Sequence, residues 1–142
     1  MTERTSGPAE TEALGARIAL GLGAGDIVLV AGDLGAGKTT LIRGACRALG
    51  VTEPVTSPTF TIGQRYQAPT PISHLDLYRL GELGAEEPGL LDDYLTGGAI
   101  AFVEWPGALE RGFTPPALED VRVAARVELR HRGGDEREVT VT

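Results

Sequence analysis

VLVAGDLGAGKTTLIRG, Val28 to Gly44, is the stretch on which the reading of this chain turns. It sits in a continuous apolar run, Ile27-Val28-Leu29-Val30-Ala31, of the kind a strand carries when helices cover both its faces. It leads into a helical pattern, Thr39 to Leu49, closed by Gly50 in the position just past a helix C-terminus. Between the two stands Gly32-x4-Gly37-Lys38-Thr39, the full phosphate-loop pattern. Glycines at 32, 35 and 37 permit backbone angles that side chains forbid, so successive amides point inward at an anion. The helix N-terminus behind them adds partial positive charge. Lys38 is the only lysine among thirteen basic residues. Its compact ammonium on a thin stem suits the oxygens between the last two phosphates, where the broad guanidinium of arginine would not fit.

Around that stretch, 142 residues with 42% hydrophobic content predict one domain, 1–142, with a core over about 9–117 and a C-terminal hairpin over about 121–142. A lone cysteine, Cys46, excludes an internal disulfide. With only His74 and His131 as imidazoles there is no ligand set for a structural zinc, so any metal is a hard, oxygen-bound one. The net charge of −7 argues against the chain gripping nucleic acid alone. No apolar run is long enough to span a membrane, and MTERTSGPAE lacks a secretory layout, so the expected location is cytoplasmic.

Along the chain, the start is polar, and Ala9 to Leu22 reads as an amphipathic helix ended by Gly21, Gly23 and Gly25. Strands are expected over Phe60 to Tyr66, Ile72 to Leu77 and Ile100 to Val103, with one or two short helices between Gly81 and Leu95. From Val121 the pattern alternates, with Val121, Val123, Ala125, Val127 and Leu129 on one side. Gly133-Gly134-Asp135 then turns the chain toward Val139 and Val141. The expected fold class is α/β: a P-loop NTPase-like three-layer fold with a central, mostly parallel sheet and a C-terminal antiparallel hairpin.

Phosphoryl chemistry needs a divalent cation to neutralise charge spread over the transferred group. The Thr39 hydroxyl is the first ligand by the logic of the motif. The second is an acid at the end of a neighbouring buried strand, where Asp76 and Glu104 both qualify. Glu104 follows the more uniformly apolar strand and is favoured on the metal side, with Asp76 nearer the terminal phosphate; the roles can be reversed. A guanine-reading Asn-Lys-x-Asp signature is impossible without a second lysine, which favours adenine.

GDLGAGKTTLIRG, SPTF at Ser57 to Phe60, HLDLYRL at His74 to Leu80 and VEWP at Val103 to Pro106 together resemble the TsaE family, small bacterial ATPases of the pathway that installs threonylcarbamoyl on adenosine 37 of tRNA. The resemblance runs from about residue 10 to 106. It implies ATP or ADP bound with Mg2+ through Gly35, Ala36, Gly37, Lys38, Thr39 and Thr40. It also implies metal ligation by Thr39 and Glu104, and a catalytic set of Lys38, Asp76 and Glu104. Only the family likeness puts Thr11 near the adenine. TsaB and TsaD are the implied partners, TsaC acts upstream, and tRNA is met only through the complex.

No glutamine falls in a motif, since Gln64 and Gln67 lie outside the shared blocks, so hydrolysis that is slow alone and raised by a partner is expected. Trp105 follows the metal-side acid and is expected near the nucleotide. Arg79 reads equally as a charge stabiliser or a salt bridge, and Ser57 with Thr59 as a phosphate-sensing loop or a rigid turn. Cys46, Tyr66 and Tyr78 read as packing, and Arg122, Arg126 and Arg130 as a solvated face. Two other readings stay open: a small-molecule P-loop kinase, which would need an arginine-rich lid where the segment after Leu80 is acidic, and a nucleotide-gated binding module that needs no hydrolysis.

Overall fold

The structure is a computed structural model that describes residues 1–32, 36–57, 63–76, 94–104 and 121–142. Within them the chain forms β1 (Thr2–Ser6), α1 (Pro8–Ala19), β2 (Asp26–Gly32), α2 (Lys38–Ala48), β3 (Gly63–Tyr66), β4 (Ile72–Asp76), β5 (Ile100–Glu104), β6 (Arg122–His131) and β7 (Glu136–Val141). One mixed sheet holds all seven strands in the order β1-β7-β6-β2-β5-β4-β3. The four inner strands β6, β2, β5 and β4 run parallel, while β3, β7 and β1 are antiparallel additions at the two edges. This is the α/β, P-loop-like class expected from the sequence. The short helices expected over Gly81 to Leu95 fall almost wholly outside the described residues.

The inner strands are apolar throughout because both their faces are covered. Successive residues of β2, β4 and β5 alternate between two clusters. Val28, Val30, Ile72, Ile100 and Phe102 pack on the side of α1 and α2, and Ile27, Leu29, Leu75, Ala101 and Val103 pack with Leu95 on the other. Each fully buried aliphatic or aromatic side chain contributes about 2 kcal/mol. Helix α2 lies over β2 and β5, and α1 packs along α2.

The two helices approach so closely that glycine is required at the crossing. A methyl on Gly15 would overlap the Leu41 carbonyl, and one on Gly44 would overlap the backbone of Glu12. Helix α1 begins one residue earlier than its apolar stripe predicts, with Pro8 in the first turn, and ends at Ala19, leaving Leu20 84% exposed.

Two features depart from the sequence reading. The polar start is a strand, β1, paired with β7 from Thr2↔Thr140 to Ser6↔Glu136. Its one buried side chain is Thr5, so it carries no apolar alternation. The second departure is in β6, whose alternating residues do not share one side. The register with β2 slips between Ile27↔Val123 and Val28↔Ala125, making Ala124 a bulge. Val123 therefore shares the side of Ile27, whereas Ala125, Val127 and Leu129 share that of Val28.

Candidate functional site

Parallel pairing of β2 with β5 and of β5 with β4 brings three carboxyl ends to one edge of the sheet. Val30 pairs with Glu104, and Glu104 with Asp76. Gly32, Glu104 and Asp76 therefore stand side by side where a parallel α/β sheet ordinarily presents its ligand site. Residue alternation decides which face they use. Glu104 lies two positions past Phe102, and Asp76 four past Ile72, so both acids share the α2 side with the glycine loop.

The loop's backbone accounts for two of its glycines. Gly37 caps α2 with φ 97°, in the left-handed region that favours glycine. At Gly32 a methyl would come within 2.7 Å of the Leu129 carbonyl oxygen, so β6 itself forbids a side chain there. Ala36 is buried and packs in the core. Gly35 and Trp105 lie outside the described residues, as do Pro58, Thr59, Tyr78 and Arg79.

Lys38 is buried at the start of α2, and its ammonium donates to the Gly32 carbonyl at 2.8 Å, back at the end of β2. Thr39 and Thr40 follow, both half-buried. Thr39 donates its hydroxyl proton to Glu104 Oε1 at 3.0 Å. Asp76 accepts from the Ser57 hydroxyl at 3.0 Å, which ties the loop before Pro58 to the end of β4. Thr11, in the first turn of α1, is buried; its methyl would sit 3.9 Å from a side chain built on Gly37. Its hydroxyl donates to the Gly7 carbonyl at 3.2 Å and lies 2.8 Å from that of Thr5. The structure thus gathers Thr11, Ala36, Gly37, Lys38, Thr39, Thr40, Asp76 and Glu104 around one loop.

Sequence reasoning missed what stands behind Glu104. His74, fully buried, meets Glu104 Oε2 through Nε2 at 2.6 Å, and its Nδ1 lies 3.0 Å from the Tyr66 hydroxyl. Tyr66 also lies 3.1 Å from Gln64 Oε1 and 3.3 Å from the Thr56 carbonyl. Burial pushes the Tyr66 phenol up to about 12, so it stays a donor at any physiological pH. The packing role read for Tyr66 is thus only half its role. The signal was available: His74 is two residues before Asp76 on a strand, so it shares that residue's face. Cys46 does pack in the core, and burial pushes its thiol up to about 12, leaving it inert.

The donor set fits a hard divalent cation. The Thr39 hydroxyl bonds the Glu104 carboxylate, and Asp76 is the register neighbour of Glu104; an oxygen set of this kind suits Mg2+, a cation that takes one or two carboxylates and completes its shell with phosphate and water. Among the described residues no three His, Cys, Asp and Glu side chains form a cage for a metal on their own. Among them also, no helix is long and apolar enough to cross a membrane. The arginine row is exposed, as read, but not idle: Arg122 pairs with Asp26 at 2.8 Å and Arg130 with Glu128 at 2.8 Å.

Comparison with known proteins gives the family. Residues 5–139 match the profile described as threonylcarbamoyl adenosine biosynthesis protein TsaE. The tRNA threonylcarbamoyladenosine biosynthesis protein TsaE of Bacillus subtilis is 39% identical over 140 residues, covering 98% of this chain and 83% of that one. The protein of the same name from Streptomyces coelicolor is 40% identical over 136 residues, covering 91% and 87%. The crystal structure of Bacillus subtilis YdiB superposes with a TM-score of 0.75 at 34% identity, over 99% of this chain and 83% of that one. A match across nearly the whole length, on a sheet that sets a glycine loop beside two acids, means that this chain belongs to the TsaE family of threonylcarbamoyl adenosine biosynthesis proteins.

Proposed function

We propose that the chain binds ATP and ADP with Mg2+ and hydrolyses ATP slowly, and that it acts with TsaB and TsaD so that threonylcarbamoyl transfer to tRNA can turn over repeatedly. The observation that carries the reading is the convergence of the Lys38 ammonium and the Thr39 hydroxyl of α2 and the Glu104 carboxylate of β5 beside the end of β2 at Gly32. In this reading Lys38 leaves the Gly32 carbonyl for the β- and γ-phosphate oxygens, exchanging a neutral acceptor for charged ones. The amides of Gly35 to Thr40 hold the remaining oxygens at the N-terminus of α2. Thr39 and Glu104 would hold the metal, directly or through water, and Asp76 stands on the terminal-phosphate side. When bound, Mg2+ supplies charge neutralisation for the departing phosphoryl group.

No residue among those described stands as a dedicated water-positioning glutamine: Gln64 is engaged with Tyr66 at the far side of His74. This supports slow basal turnover, raised by the partners. Calorimetry with ADP and ATP on the purified chain tests the binding. Lys38→Ala is expected to weaken ADP affinity about a hundredfold, the equivalent of roughly 3 kcal/mol for charge-assisted contacts. Phosphate release measured with and without TsaB and TsaD tests the rest; equal rates would remove the partner-dependent part of the proposal.

A further inference from the structure

Glu104 is held from two sides. Thr39 donates to Oε1 and His74 Nε2 meets Oε2, so neither oxygen is left to rotate. As a carboxylate accepting at both oxygens, Glu104 requires the His74 proton on Nε2. In a ring with one proton, Nδ1 then accepts, and its partner is the Tyr66 hydroxyl, which has one proton and lies nearer to Nδ1 than to Gln64 or the Thr56 carbonyl. The donors therefore run in one direction, from Tyr66 on edge strand β3, through His74 on β4, to Glu104 on β5.

Stability alone gives no reason for this relay. Position 74 lies between Ile72 and the end of β4 on the core side and is fully buried. A leucine there would pack without the desolvation cost of an imidazole, and buried polar networks are commonly no more stable than apolar replacements. What the relay provides is orientation. A carboxylate has about four acceptor positions, and two are used here, so the rest stay available with the plane of the group fixed.

We infer that His74 and Tyr66 are positioning residues for the metal-side acid: they fix the Glu104 carboxylate so that its remaining lone pairs meet a nucleotide-bound divalent cation. This rests on the nucleotide reading proposed above. Outer partners of this type set metal affinity at other sites by roughly ten- to a hundredfold.

The test is ADP titrated calorimetrically into the full chain with and without Mg2+. Wild type is expected to bind ADP more tightly with Mg2+. His74→Ala is expected to keep the metal-free affinity and to lose roughly tenfold of the metal-dependent gain. His74→Gln, whose amide still donates to Glu104, is expected to restore most of it. Tyr66→Phe, which keeps the ring, is expected to lose part of the gain, and 15N spectra of the wild type to show His74 protonated on Nε2.

A folded His74→Ala variant with the full Mg2+ gain overturns the inference. If that variant melts at assay temperature, Tyr66→Phe decides: an unchanged gain together with an Nδ1-protonated His74 overturns it. Wild-type protein that binds no ADP under either condition overturns the nucleotide reading and this inference with it, whereas binding with equal Mg2+ dependence in all variants overturns the inference alone.

Discussion

Three charged side chains show how burial assigns roles at the scale of single residues. Lys38 is buried yet keeps its ammonium on a carbonyl, and Glu104 is buried yet accepts at both oxygens. Asp26 is the third, at the opposite end of β2, where its carboxylate accepts from the Gly23 amide and the Arg122 guanidinium, each at 2.8 Å. The Arg122 contact is the larger cause that holds the Asp26 carboxyl below the usual carboxylate range. A carboxyl depressed in the folded state stabilises above its unfolded value, about 3.9, and loses that contribution as pH falls through the folded one. Asp26→Asn is therefore expected to lower the urea midpoint at about pH 7, with the gap to wild type closing as pH falls below the unfolded value of about 3.9. A gap that widens in acid would mean the pair does not act this way.

At the scale of elements, the site depends on how α1 and α2 cross. Helix α2 brings Lys38 and Thr39 to the loop, and α1 brings Thr11 beside Gly37, so the crossing sets how far apart these groups stand. Gly15 and Gly44 carry it, each facing the other helix's backbone rather than a side chain that could move aside. Gly44→Ala is expected to cost about 3 kcal/mol, the upper part of the overpacking range, because only a shift of a whole helix relieves the overlap. Denaturant unfolding checks this; a loss below ~1 kcal/mol would show that the helices slide freely. Strand β3 has its own element-scale role, since Tyr66 on this edge is the far end of the relay to Glu104.

For the whole molecule, the N-terminal strand closes the antiparallel end of the sheet and touches the site in the same stroke. β1 covers the edge of β7, Glu3 pairs with Arg17 of α1, and Thr5 lies against the Thr11 hydroxyl. Deleting residues 1–6 is expected to lower the melting temperature by roughly 6 °C, for a loss of ~2 kcal/mol. It is also expected to weaken ADP binding less than Lys38→Ala does. The Mg2+ dependence should be unchanged, because Glu104 on β5, His74 on β4 and Tyr66 on β3 all lie beyond β2 from β1. A truncated chain with altered Mg2+ dependence would contradict that separation. Melting curves with ADP, with and without Mg2+, read all three.

The stretch from Ile27 to Leu49 was legible without a structure, because a strand buried on both faces, a glycine loop and an amphipathic helix each leave a local pattern that no neighbour has to complete. The inner strands β4 and β5 and the turn at Gly133 and Gly134 were legible for the same reason. β1 was not, since an edge strand with one buried side chain is defined by the hydrogen bonds of its partner rather than by its own composition. The bulge at Ala124 was hidden too, because it exists only in the register between β6 and β2. Likewise the acids at 76 and 104 could be named as candidates from their strand ends, but a link between residues thirty apart, such as His74 and Glu104, is made by parallel pairing. Local patterns thus determined the glycine loop and its class of fold, while the hydrogen-bonded setting of the Glu104 carboxylate was decided by long-range pairing, which alternation along one strand cannot encode.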